Sequence, residues 1–254
     1  MNDTIEHSSN EHTCCNRRSV LKTAFGVTMA GIVGTMGAGI PNISYAAALT
    51  KEERDKLTPD QIIEGMKEGN LRFRTGKMQQ HDYLAQKRAS ADGQFPSAVI
   101  LSCIDSRAPA EIILDVGIGE TFNERIAGNI ANHDLIGSLE FACAAAGAKV
   151  IIVMGHTACG AIKGAIDNVE LGSLTGLLDK IKPAIGATKY SGERSSKNDE
   201  FVDAVARTNV LQTINEIRKG SDVLSALEKK GRLKIVGAMY FLNGGKVEFE
   251  EHAI

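Results

Sequence analysis

The sequence predicts an α/β domain, a mostly parallel central β-sheet flanked by helices, and three observations carry that prediction. Two continuous apolar runs, Ser97-Ala98-Val99-Ile100-Leu101-Ser102-Cys103 and Lys149-Val150-Ile151-Ile152-Val153-Met154-Gly155, read as strands buried on both faces. Between them lies an alanine-rich helical stretch, Leu135 to Ala146, that stops at Gly147, as a crossover between parallel strands requires. The 254 residues are 43% hydrophobic and 24% charged, an ordinary globular balance on a chain long enough for one sizeable core.

Residues 1–46 read as an address rather than as part of the fold. Asn16-Arg17-Arg18-Ser19-Val20-Leu21-Lys22 holds an arginine pair, and the uncharged, glycine-rich stretch Thr23 to Ile40 follows it. That stretch is too short and too rich in glycine to hold a membrane span securely. Small residues at Ala46-Ala47-Ala48 suit a cleavage site. The segment resembles a twin-arginine signal peptide, with Val20 where phenylalanine is usual. The resemblance implies a bacterial protein exported already folded, to the periplasm, with no stable membrane insertion once the signal is removed. Residues 47–254 then form a single domain.

Along that domain, Thr58-Pro59-Asp60-Gln61 opens a helix with a capping box and a first-turn proline, and the helix runs roughly to Gly76. The first apolar strand and the Leu135 to Ala146 helix follow, then the second strand. Helical patterns cover Gly160 to about Asn168, Leu171 to Ala187 and Phe201 to Lys219. Tyr190 to Asn198 reads as an exposed loop. Leu233 to Leu242 and Lys246 to Glu250 read as strands joined by a turn at Asn243-Gly244-Gly245.

Composition excludes several partners. A net charge of -2 and the absence of tryptophan give no electrostatic or stacking basis for binding nucleic acid or anionic membrane. Of the five cysteines, Cys14 and Cys15 fall in the address segment. The odd, widely spaced remainder (Cys103, Cys143 and Cys159) is a poor disulfide framework, so metal ligation or free thiols come first.

Two clusters carry chemistry, each at the carboxyl end of a buried strand, where ligands gather in open parallel sheets. One is Cys103-Ile104-Asp105-Ser106-Arg107 and the other His156-Thr157-Ala158-Cys159-Gly160. Taken singly, a buried thiol or a buried histidine is an ordinary core residue. Taken together on equivalent strand ends, two thiolates and an imidazole form a zinc ligand set. Three protein ligands leave the fourth tetrahedral position for water or for Asp105. Arg107, two residues from Asp105, can hold that carboxylate in a bidentate pair. Cys143, inside its alanine-rich helix, reads as core. His81 and His252 read as surface residues, and His133 as a cap or surface residue.

Cys-x-Asp-x-Arg followed about fifty residues later by His-x-x-Cys resembles the β-class carbonic anhydrases, in their plant-like branch. Pro109-Ala110-Glu111, Arg125-Ile126-Ala127-Gly128-Asn129, Ser138-Leu139-Glu140-Phe141, Gly237-Ala238-Met239-Tyr240 and Gly245-Lys246-Val247 extend the likeness through nearly the whole mature chain. The resemblance implies a lyase with one Zn2+ per subunit on Cys103, His156 and Cys159. It further implies that Asp105 and Arg107 form the dyad controlling the fourth position, Asp105 being a fourth ligand in a closed state. Zinc-bound hydroxide would hydrate carbon dioxide reversibly to bicarbonate and a proton. Gln94, Phe122, Ala127, Phe141 and Gly160 fall at substrate-binding positions, the aromatic ones usually supplied by a neighbouring subunit. A homodimer or a dimer of dimers is implied. One departure is Asn123-Glu124, where two apolar residues are usual, and a basic partner for Glu124 is not readable. Two alternatives stand beside the hydration of carbon dioxide: hydrolysis of carbon disulfide or carbonyl sulfide on the same fold, and a non-enzymatic zinc-binding protein.

Overall fold

The structure, a computed structural model, describes residues 48–250. Residues 1–46, read above as a signal, and Cys14, Cys15 and His252 lie outside the described residues. Five strands form one sheet: β1 (Ala98–Ser102), β2 (Thr121–Arg125), β3 (Val150–His156), β4 (Lys234–Tyr240) and β5 (Val247–Glu250). Their spatial order is β2-β1-β3-β4-β5, parallel throughout except for the antiparallel β4–β5 pair. β1 and β3 are buried along their whole length, as their unbroken apolar runs require.

Helices cover both faces. On one face α2 (Pro59–Arg74) and α4 (Ala110–Ile113) press Ile62, Ile63, Met66 and Ile113 against Ile100, Ile152 and Val236. α2 begins with the expected capping box, in which Thr58 and Gln61 bond each other's backbone N–H groups. On the other face α5 (His133–Glu140), α9 (Asp199–Gly220) and α10 (Asp222–Lys229) enclose Val99, Leu101, Ile151 and Val153 with Leu139, Phe201, Val210 and Leu224. Gly155 lets α9 approach closely, because a Cβ there would lie 2.8 Å from a Val210 methyl. The remaining helices are α1 (Lys51–Lys56), α3 (Tyr83–Ala89), α6 (Gly160–Ile166), α7 (Gly172–Asp179) and α8 (Lys182–Ala187). The β4–β5 turn at Asn243-Gly244-Gly245 forms as expected, with both glycines at positive φ.

Several sequence expectations need correction. The single helix expected over Leu171 to Ala187 is two, α7 and α8, with Pro183 in the first turn of the second. The helix over Leu135 to Ala146 is α5 continued by a π turn at Phe141–Ala145. Asn132, not His133, caps α5, its side chain accepting from Leu135 N–H. His133 is exposed, as one of its two expected readings holds. His81 is not a surface residue. Its side chain is 2% exposed and contacts Asp115 at 3.2 Å and Gln86 at 3.3 Å, a buried polar pairing across the chain that sequence spacing does not reveal. Cys143 lies in the core, its thiol pushed up to about 12, first by burial and then by Glu124.

Candidate metal centre

The parallel register of β1 and β3 pairs Ser102 with Met154, so both strands deliver their next residues to the same edge. Cys103 follows β1 directly, His156 closes β3, and Cys159 stands at the start of α6. One ligand atom from each of Cys103, His156 and Cys159 lies within 4.8 Å of the others, and all three residues are buried. Cys103 Sγ and Cys159 Sγ are 4.0 Å apart. Tetrahedral zinc with bonds of about 2.3 Å to sulfur sets two thiolates about 3.8 Å apart, so the spacing fits that ion. His156 supplies the second sign of fit. Its Nδ1 lies 2.9 Å from the Thr157 carbonyl, and its Nε2 is buried with no hydrogen-bond partner. An orphaned buried nitrogen beside two sulfurs is an open donor set.

The backbone holds this geometry in place. Gly128, at φ 68°, directs its N–H to Cys103 Sγ at 3.4 Å. A Cβ on Gly128 would come within 2.6 Å of Ile181, so glycine is required there on both counts. Arg125 ties down the first turn by donating to the carbonyls of Cys103 and Asp105. The second turn has three supports. Thr157 N–H bonds the Tyr240 carbonyl, the Thr157 hydroxyl accepts from Leu242, and Ala158, left-handed at φ 52°, donates its N–H to Asp203 at 2.9 Å. Gly128, Arg125 and Asp203 were not singled out as site residues by sequence reasoning. Arg125 and Gly128 stood only within a family segment, and nothing in the spacing points to Asp203.

Electrostatics match a cation site. The contact between the two sulfurs lowers the Cys103 thiol and raises that of Cys159. The amides of Ala161 and Ile162 at the start of α6 favour a Cys159 thiolate, and a divalent cation would remove the competition altogether. For His156, burial pulls downward, but the Cys103 sulfur and the Thr157 carbonyl prevail and raise it.

Asp105 stands apart from the three ligand atoms. Arg107 Nε and backbone N–H donate to its Oδ1 at 2.9 Å and Arg107 Nη2 to its Oδ2 at 2.7 Å. This bidentate grip holds the Asp105 carboxyl far below the usual carboxylate range. Asp105 Oδ2 still lies only 3.8 Å from His156 Nε2, at the rim of the site. Gly160 is the first residue of α6, and no atom lies within 4 Å of where its Cβ would be, which leaves open space before that helix.

The remaining expected residues sit elsewhere in the chain. Phe122 on β2 and Phe141 pack edge to face, ring centroids 6.1 Å apart, and Ala127 lies in the 3-10 turn beside Gly128. Gln94 is exposed before the amino end of β1, the end opposite Cys103. Among the described residues no basic side chain pairs with Glu124; its carboxylate oxygens are buried, and the Ser138 hydroxyl only partly offsets the upward push of burial on the carboxyl.

Known proteins resemble this chain in sequence and fold. Residues 98–247 match the family described as carbonic anhydrase. Carbonic anhydrase 2 of Mycobacterium tuberculosis is 34% identical over 193 residues, 74% of this chain and 90% of that protein. Among solved structures, the β-carbonic anhydrase CafA of Aspergillus fumigatus aligns with a TM-score of 0.57 at 26% identity, over 66% of this chain and 80% of that one. A structure from work on two tetrameric β-carbonic anhydrases of Sordaria macrospora aligns with a TM-score of 0.54 at 26% identity, over 63% and 82%. A family match over most of the sheet, relatives on both sides of the comparison and a donor set at the strand ends agree: the chain belongs to the carbonic anhydrase family, in its β class.

Proposed function

We propose that the chain catalyses zinc-dependent reversible hydration of carbon dioxide to bicarbonate and a proton, with Cys103, His156 and Cys159 holding the ion. The observation that carries this reading is the meeting of two sulfurs and an unpartnered imidazole nitrogen beside a carboxylate already locked by arginine. Zinc in that seat supplies a Lewis acid that brings the pKa of water toward neutrality, an effect for which carbonic anhydrases themselves are the standard example. The protein's own residues supply the rest. Arg107 keeps Asp105 ionised and turned aside from the three residues that would hold the ion. Asp105, still at the rim, accepts a hydrogen bond from the attacking water and orients its lone pair toward carbon. Phe122, Phe141 and Ala127 offer an apolar wall suited to a small apolar substrate, and Gln94 offers an amide to one of its oxygens.

Because Gln94 sits at the opposite strand end from Cys103 within one chain, that contact requires a second copy. A homodimer or dimer of dimers is the assembly this reading calls for, in line with the tetramers named for the Sordaria relatives. Carbon dioxide hydration measured alongside zinc content tests the assignment. Cys159→Ser is expected to lose most of both. Asp105→Asn is expected to keep the ion and lose at least about tenfold in rate. A Cys159→Ser protein with full metal and full rate would refute the ligand set.

The same reading includes export through Asn16-Arg17-Arg18-Ser19-Val20-Leu21-Lys22. No helix among the described residues is long and apolar enough to cross a membrane. Replacing both Arg17 and Arg18 with lysine is expected to keep the protein in the cytoplasmic fraction. Unchanged periplasmic recovery of that variant would count against export by this route.

A further inference from the structure

The end of β3 opposite His156 carries a concentration of positive charge that the hydration of carbon dioxide does not use. A cleft of about 550 Å³ opens there, between α1, the residues leading into β3 and the residues after α10. Lys51, Arg54, Lys56, Lys149 and Arg232 line it, and Asp55 is the one carboxylate among the lining residues. Asp55 is already engaged, accepting from Lys51 at 2.6 Å and from Arg54 Nε at 2.7 Å. Five cations against one anion leave four positive charges in surplus within one concavity. Such a concavity focuses its field on anions.

Two of the cations are built into the fold. Arg54 is 5% exposed. Its Nη1 donates to the Ala146 carbonyl at 2.7 Å, and its guanidinium lies over Gly147, where a Cβ would fall 2.6 Å from Nη1. No hydrogen bond among the described residues uses Arg54 Nη2. Lys149 gives two of its three ammonium protons to the carbonyls of Asp55 and Leu57, at 2.9 and 2.7 Å. That fixes the nitrogen at the cleft and leaves one donor open. Burial pulls the Lys149 ammonium below its ordinary range; Asp55 opposes the shift and Arg54 adds to it. Lys56 and Arg232 are exposed and make no hydrogen bond or ion pair among the described residues.

We propose that this cleft binds a phosphate group, carried by inorganic phosphate or by a small phosphomonoester. A guanidinium with a free nitrogen beside several ammonium groups suits the oxygens and the double charge of phosphate. A monoanion such as bicarbonate offsets less of the surplus. The cleft is larger than one ion needs, and Leu227 and Cys143 in its wall suit a short carbon skeleton. Bound phosphate joins α1 to the entry of β3 and to Arg232, so it stabilises the folded chain. The proposal does not depend on the hydration reading.

Isothermal titration calorimetry and thermal unfolding of the zinc-loaded protein, at about pH 7.5 in low salt, test this. The probes are inorganic phosphate and glycerol phosphate, with chloride at matched ionic strength as control. Phosphate in one or both forms is expected to bind a single site and raise the Tm, and chloride to do neither. Tighter binding of glycerol phosphate identifies an organic phosphate as the ligand, and tighter binding of inorganic phosphate the free ion. Lys56→Gln combined with Arg232→Gln removes two side chains that hold no partner in the fold. The pair is expected to weaken phosphate binding at least about fivefold while leaving the phosphate-free Tm near that of the wild type. Each single variant, expected to lose at least about twofold, keeps the comparison if the combination is unstable. Neither probe acting beyond chloride overturns the proposal. So does a smaller loss in these variants, since the anion would then sit elsewhere, the zinc included.

Discussion

His156 is committed before any ligand arrives. Its Nδ1 meets the Thr157 carbonyl, which leaves Nε2 as the only ring nitrogen that can face the sulfurs. That commitment depends on a turn in which Ala158 adopts a left-handed conformation, uncommon for a residue with a Cβ. Asp203 steadies it through the Ala158 N–H, and burial raises the Asp203 carboxyl despite that bond. Asp203→Ala is therefore expected to leave the fold intact but weaken zinc affinity about 10–100-fold, measured by competition with a chromophoric chelator. Unchanged affinity would mean the turn holds without it. At this scale the sequence was legible where chemistry is written in residue type, as in Cys103, Asp105, Arg107, His156 and Cys159. It was silent where a residue acts on the backbone of a distant segment. Asp203 looks like any acidic residue of an amphipathic helix, and His81 like any polar loop residue, until the fold brings each to its partner.

The strands that carry ligands are the ones that sequence reveals best, because burial on both faces leaves the unbroken apolar runs of β1 and β3. β2 escaped for the same physical reason. As an edge strand it is only partly buried, and Thr121-Phe122-Asn123-Glu124-Arg125 shows neither a run nor a clean alternation. α1, α3, α4 and α10 were also unassigned, each of them eight residues or fewer. The 3-10 turn at Ala127–Asn129 joins β2 to the metal centre, and Gly128 is its pivot. A methyl group there must displace Ile181 while the backbone keeps a positive φ. Gly128→Ala is expected to cost about 1–3 kcal/mol in urea unfolding and to loosen the N–H contact with Cys103. A loss of under about 0.5 kcal/mol would show that the turn relaxes freely.

Across the whole molecule, the sheet rather than the loops sets the site. Ligands arrive from β1, from β3 and from the helix entered after β3, so the hydrogen-bond ladder fixes their relative height. The fold class followed from two buried strands and the helix between them. The second copy proposed above would leave only an indirect trace in one chain, a glutamine at the strand end opposite Cys103. The sulfurs of Cys103 and Cys159 belong to residues 56 positions apart, bracketing α4, β2, α5, β3 and their connections. An ion gripping both works as a clasp on that span. It deprives the denatured chain of freedom equivalent to about 4 kcal/mol by loop-closure arithmetic. The reaction centre thus doubles as a fastener for the half of the sheet that bears it, and losing the ion would slacken the architecture along with the chemistry.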